Sequence, residues 1–282
     1  MQRQKFVLSI FSLTLLLLLT GCNPKSTEPM VPPVNFVFVK GGRFDNGYAD
    51  IKISSFFLAK HALSQADYEA VMGINPAFDH GVGSNFPVYY VTWFNAIEYC
   101  NRRSLREGLT PCYSYRSYGT DPDVWPGNWD HNTYANLNVF CDWKVNGYRL
   151  PTEMEWMFAA RGGRQSQNFI YSGSDDLDQV GWYLDNWGAE NEAIHSSGAK
   201  LPNELGLYDL SGNLWELVWD IHGPYLSGAQ TNPTGAESGN GRVSRGGSWS
   251  NEAEFCTVSY RNFSYPSDSS WNLGFRVCRG IP

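Results

Sequence analysis

Thiols and imidazoles are the most reactive side chains in this sequence, and their spacing narrows what they can do. Six cysteines stand at positions 22, 100, 112, 141, 256 and 278. No two form a C-x-x-C pair, so there is no compact dithiol or zinc motif. The histidines His61, His80, His131, His195 and His222 are scattered, without the close pairing that a metal site draws from one element. No Gly-x-Ser-x-Gly elbow presents an activated serine. Arg102, Arg103 and Arg106 cluster where a helix should end. They read as charges facing the negative end of its dipole rather than as a phosphate site.

One cysteine has a different chemistry. Cys22 ends an N-terminal segment in which Arg3 and Lys5 precede an almost unbroken apolar run over residues 6–19. The run falls short of the ~20 residues that span a bilayer and has the form of a signal peptide. Its end, Leu19-Thr20-Gly21-Cys22, resembles the lipobox of bacterial lipoproteins. That resemblance implies cleavage before Cys22 and diacylglycerol on its thiol, each buried methylene contributing ~0.8 kcal/mol of membrane affinity. Residues 1–21 are then the leader, and residues 22–34 a proline-bearing tether (Pro24, Pro29, Pro32, Pro33). Asn23, not Asp, follows the lipidated position, which implies passage to the outer membrane and the cell surface. The exported location permits disulfides, but five remaining thiols is an odd number and no pairing follows from sequence.

Residues 35–282 are enough for one large domain, with no internal linker and no repeat. Removing Arg3 and Lys5 from 21 basic residues leaves 19 against 28 acidic ones, a net charge of −9. A nucleic-acid binder needs a basic face, so DNA and RNA are excluded as partners.

The elements that must position any site are short. Residues 35–44 alternate and turn at Gly41-Gly42, which predicts a hairpin with residues 51–58. Ser64 should cap a helix ended by Gly73, and residues 92–108 carry apolar positions at helical spacing. Residues 110–146 read as a long irregular loop. Thr152 and Glu155 form a capping box for a third helix, stopped at Gly162-Gly163. Two strands, residues 242–249 and 273–279, close an α+β architecture of low regular content.

Several segments, in order, carry a family resemblance. They are Asn75-Pro76 before Phe78; Pro87-Val88 and Val91-Thr92-Trp93; Gly-Tyr-Arg-Leu-Pro-Thr-Glu at 147–153, then Glu155-Trp156 and Ala-Ala-Arg-Gly-Gly at 159–163. Further on come Tyr-Ser-Gly-Ser at 171–174, Pro-Asn-Glu-Leu-Gly-Leu-Tyr-Asp at 202–209, Gly212-Asn213 with Trp215-Glu216, Arg-Gly-Gly-Ser-Trp at 245–249, and Gly274-Phe275-Arg276. Together they resemble the formylglycine-generating, sulfatase-modifying family, whose fold is an elaborated C-type lectin fold. The resemblance implies a copper(I) site in the active enzymes, built from a Cys-x4-Cys pair, soft ligands for a soft ion. Here Cys256 fills the first position and Arg261 stands five residues on, so no copper is expected and no catalytic residue is assigned. The resemblance also implies a calcium site, with carboxylates from Asp209 and Glu216 and carbonyls from Gly212 and Leu214, hard ligands suited to Ca2+.

Between residues 250 and 272 the composition changes. Of these 23 residues, 14 are Ser, Asn, Tyr, Asp or Phe. Changes at adenines alone convert an asparagine codon to those of the other four types, and a lysine codon to Glu or Trp. This pattern resembles the variable proteins of diversity-generating retroelements, in particular the lipoprotein type of treponemes, whose C-type lectin domain varies at its C-terminus. The expected ligand residues are Ser250, Asn251, Glu252, Glu254, Phe255, Tyr260 and Asn262, followed by Phe263, Ser264, Tyr265, Ser267, Asp268, Trp271 and Asn272. Tyr, Ser and Asn also dominate antibody paratopes. Their aromatics should be exposed on one surface, with Trp249, Phe275 and Arg276 buried beneath. The reading is a surface-displayed lipoprotein that binds a protein or glycan ligand. The competing readings are an oxidase of the formylglycine-generating type and an inactive structural paralogue of the envelope.

Overall fold

Strands of two to seven residues, each too short to stand alone, are stitched into four small sheets by distant partners. The computed structural model describes residues 32–130, 138–188 and 194–281. Cys22, the leader and His131 lie outside the described residues. In chain order the first elements are β1 (Phe36–Val39), β2 (Gly42–Asp45), β3 (Asp50–Ile53), β4 (Phe56–Ala59), α1 (Gln65–Met72) and α2 (Trp93–Arg106). Then follow β5 (Tyr113–Tyr115), β6 (Val139–Cys141), β7 (Tyr148–Arg149), α3 (Glu153–Ala160) and α4 (Leu177–Val180). The C-terminal third supplies β8 (Trp215–Ile221), β9 (Gln230–Thr231), β10 (Arg242–Arg245), β11 (Arg261–Ser264), β12 (Leu273–Phe275) and β13 (Cys278–Gly280).

The helices form where their caps predict. Ser64 Oγ accepts from the Asp67 amide, and Thr152 and Glu155 complete their box in both directions. A second box, Thr92 with Asn95, opens α2; the shorter Asn in place of the usual Glu or Gln hid it from the sequence reading. α2 buries Trp93, Phe94, Ala96, Ile97 and Cys100, and each large apolar side chain so buried contributes ~1.5–3 kcal/mol. α3 is buried on every side.

The first expected pairing, of residues 35–44 with residues 51–58, is found, but the turn is not at Gly41-Gly42. β1 pairs with β4, and β2 with β3, so the chain changes sheets at Gly41 instead of turning there. A Cβ at Gly41 would stand 2.5 Å from the Ile53 carbonyl oxygen, so this crossing admits only glycine. The stretch 110–146, expected to be irregular, contributes the antiparallel pair β5–β6. Trp125 and Trp129 pack edge to face, and Trp129 meets Phe94 edge-on, contacts that no periodicity announces.

The last expected strand is also divided. Leu273–Phe275 runs parallel to β8 in the sheet β11-β10-β8-β12, whereas Cys278–Gly280 lies in the sheet β1-β4-β13-β7. Arg276 sits at the crossing, fully buried. Its guanidinium grips both oxygens of Glu216 on β8, at 2.5 and 2.6 Å, and donates to the carbonyls of Ala59, Lys60 and Tyr208. One side chain thus ties together the two main sheets.

Candidate ligand-binding site

The path of the variable-looking stretch is set by the strand before it. β10 ends at Arg245 because Gly246 and Gly247 both take positive φ. At Gly247 a Cβ would fall 2.6 Å from Cys256 Sγ, so the glycine lets the returning chain close against the strand end. Arg245 is fully buried, donates to the carbonyls of Val258 and Tyr260, and approaches Glu153 at 3.5 Å. The segment is therefore pinned from beneath at Cys256, Val258 and Tyr260.

Cys256 itself is fully buried. Its thiol is buried against Leu177 and Val180, and burial pushes it up to about 12, well away from the thiolate that chemistry requires. Arg261, at the position of the family's second thiol, grips Glu153 in two hydrogen bonds of 2.9 and 2.7 Å. Tyr225 donates to the same carboxylate at 2.8 Å. Where the resemblance implies a pair of sulfurs, the chain holds one buried thiol and a salt bridge.

The fourteen expected ligand residues do not share one surface. Phe263 and Tyr265 are 48% and 47% exposed and belong to β11, the sheet's edge strand, and its exit. Phe263 packs on His222, at the C-terminal end of β8. Asn262, Ser267 and Asp268 are exposed and Ser264 half-buried along the same edge. Trp271 and Asn272 precede β12 and lie beyond the opposite, N-terminal end of β8, as does Trp249. Ser250 and Asn251 join them there, next to exposed Glu252 and Glu254. Phe255 and Tyr260 form a third pair, half-buried against the core around Trp215. Two expectations are corrected accordingly: Phe255, Tyr260 and Trp271 are partly packed, and Trp249 is half-buried rather than part of the sealed core. Phe275 and Arg276 are fully buried.

The end of the sheet around Trp249 has the makings of a binding site. Trp249, Trp271 and His80 meet in a three-ring cluster, with centroids 4.8 to 5.8 Å apart, and Trp187 joins Trp249 at 5.1 Å. Phe78 stacks on Tyr90 beside them at 5.0 Å, and the Tyr90 amide donates to the Ser270 carbonyl. Beneath the rings runs a polar network: Ser248 Oγ donates to Asn251 Oδ1 (2.6 Å), Asn272 Nδ2 to Ser248 Oγ (3.2 Å), and Ser270 Oγ to Asn272 Oδ1 (2.9 Å). Rings with adaptable amides and hydroxyls are the composition of a recognition surface. Sequence reasoning missed His80, Trp187, Phe78 and Tyr90, because they come from segments far apart in the chain and no spacing connects them.

The calcium expectation fails in part. Asp209 does keep a buried carboxylate oxygen, Oδ1, with no hydrogen-bond partner, while Oδ2 accepts from the Gly198 amide. Glu216, however, is taken on both oxygens by Arg276, and Trp156 Nε1 also donates to it at 2.7 Å. The Gly212 carbonyl accepts from the Leu214 amide. The cation that balances Glu216 is the arginine, so the four-residue donor set does not fit Ca2+ as a unit. That correction falls on Glu216.

Comparison with known proteins agrees with this frame. Residues 23–281 match the model of the sulfatase-modifying factor enzyme 1-like domain. The chain is 37% identical to the chaperone protein LppX of Paenibacillus barcinonensis, over 87% of its length and 89% of that protein. It is 34% identical to the formylglycine-generating enzyme of Streptomyces coelicolor, over 52% of its own length and 50% of the enzyme. The solved structure of Treponema denticola variable protein 1 superposes with a TM-score of 0.75 at 31% identity, covering 88% of this chain and 94% of that one.

The Arg276–Glu216 assignment makes a two-part prediction. Glu216→Gln leaves a buried guanidinium without its counter-charge and should cost about 3–5 kcal/mol in urea unfolding. Wild-type melting temperatures in excess EGTA and in millimolar Ca2+ should agree. A rise of several degrees with Ca2+ would return a cation to Asp209.

Proposed function

Because the chain belongs to the sulfatase-modifying factor enzyme 1-like family yet holds Arg261 where the oxidases carry a second thiol, we propose that it is a binding protein. Its α+β C-type lectin fold, shared with the T. denticola variable protein, serves as the frame. In this reading the stretch 250–272 supplies changeable ligand contacts, at the ring-lined end of the sheet and along β11. The carrying observation is the division of labour within the stretch. Cys256, Val258, Tyr260 and Arg261 are pinned by Gly247, Arg245 and Glu153, while Asn251, Glu252, Asn262 and Phe263 lie on or near the surface on either side of them. A rigid scaffold with tolerant positions is what a diversified surface requires. Display at the cell envelope through Cys22, with residues 22–34 as tether, belongs to the same proposal.

The similarity to a chaperone over most of the chain favours a second reading, in which the same face holds an exported client protein and does not vary. Sequencing residues 245–282 in many isolates separates the two. Adenine-directed changes confined to 250–272, beside a template repeat and a reverse transcriptase, support diversification; an invariant stretch overturns it. For the anchor, Cys22→Ser should abolish palmitate labelling and release the protein from membranes, and unchanged labelling contradicts the assignment.

A further inference from the structure

The ring-lined end of the sheet is distinguished by its charge as much as by its aromatics. It is assembled from residues 75–80, 89–90, 182–188, 248–256 and 270–272, joined by main-chain and ring contacts. The Leu184 amide donates to Asn251, the Tyr90 amide to Ser270, and Trp187 packs on Trp249. These five segments contain four carboxylates, Asp79, Asp185, Glu252 and Glu254, and not one lysine or arginine. All four acids are exposed, Asp79 meeting His80 Nε2 at 3.6 Å and accepting from the Tyr90 hydroxyl. An indole or phenol face carries negative charge density, so aromatic rings beside exposed carboxylates attract cations on two counts.

The chain already uses this chemistry at the margin of the same region. Lys200 Nζ lies 3.9 Å from the centre of the Trp182 ring, held there by the Asp178 carbonyl, while His195 stacks on the same indole at 3.6 Å. The rings around Trp249 have no such internal cation among the described contacts.

We infer that the ligand taken at this end is cationic: a lysine- or arginine-rich segment of a partner protein, its side chains over the Trp249–Trp271–His80 rings and its amides on the Ser248–Asn251–Asn272 network. This inference rests on the binding-protein reading and specifies its ligand class. Most of the apparatus lies outside the changeable stretch, namely Phe78, Asp79, His80, Tyr90, Asp185, Trp187 and Trp249. Asp79 and Asp185 thus place part of the preference for positive charge in the frame, and Glu252, Glu254 and Trp271 in the changeable stretch adjust it.

The test is a titration of the purified full mature chain with octa-arginine, octa-glutamate and an uncharged dextran oligosaccharide, read by tryptophan fluorescence. Octa-arginine should bind, weaken as salt rises, and be the only one of the three to do so. The double variant Asp79→Asn/Asp185→Asn, which touches only exposed carboxylates, should weaken it by about threefold to tenfold. Trp271→Ala should have an effect of similar size, with melting curves showing that both variants stay folded. Equal binding of octa-glutamate, preference for the oligosaccharide, no binding of octa-arginine, or unchanged affinity in the double variant overturns the inference. The two readings fail separately. If residues 250–272 vary among isolates but octa-arginine does not bind, only the ligand class is wrong. If octa-arginine binds but the stretch is invariant, diversification is wrong and the cationic site remains.

Discussion

The buried pair Arg276–Glu216 is the constraint on which the arrangement hangs. Removing two charges from water costs several kcal/mol per ion, and attraction offsets that only with close geometry and all hydrogen-bonding positions filled. Both conditions are met here: a two-pronged contact, three carbonyls on the remaining N–H groups, and an indole on the carboxylate. The consequence is topological. Phe275 ends a strand beside β8 and Cys278 begins one beside β4, and the arginine between them holds both sheets to a single crossing. Three approaches to the candidate site lie next to Glu216: the turn at Gly212-Asn213, the glycines after β10, and the approach to β12.

With that crossing fixed, the chain from Gly246 to Asn272 can be long and poor in regular structure without being loose. Arg245 and Arg261 converge on Glu153, and Cys256 closes against Gly247. Such buried anchors leave the exposed residues of the stretch, such as Glu252, Glu254, Asn262 and Ser267, free of packing duties. Substitutions away from packed sites change stability by only ~0.5 kcal/mol, which is the property a changeable surface needs. At the two positions where the resemblance implies a pair of thiols, Cys256 is sealed and Arg261 is bound to Glu153.

Much of the frame was legible in the sequence because its signals are local. Ser64 and Thr152 act within three residues, and Gly73 at the next turn; the ordered series of motifs from Asn75 to Arg276 identified the fold as a whole. What was not legible depended on contacts between distant segments. The run from Leu273 to Arg279 reads as one strand, and nothing in its pattern reveals that Arg276 would meet Glu216 and divide it. Gly41-Gly42 has the composition of a turn, although tertiary packing makes it a crossing. The candidate site was half legible: composition marked residues 250–272, but not that β8 separates Phe263 from Trp271, nor that His80 and Trp187 would supply the rings beside Trp249.

The central proposal is that a fold shared with formylglycine-generating enzymes here supplies a frame for recognition. Incubation of the purified protein with copper(I), oxygen and a cysteine peptide of the sulfatase type, followed by mass spectrometry, tests it most directly. With Cys256 buried and Arg261 bound to Glu153, the account predicts that the peptide is recovered with its cysteine unoxidised to formylglycine. Formylglycine produced over many turnovers, and lost in Cys256→Ala, would contradict it.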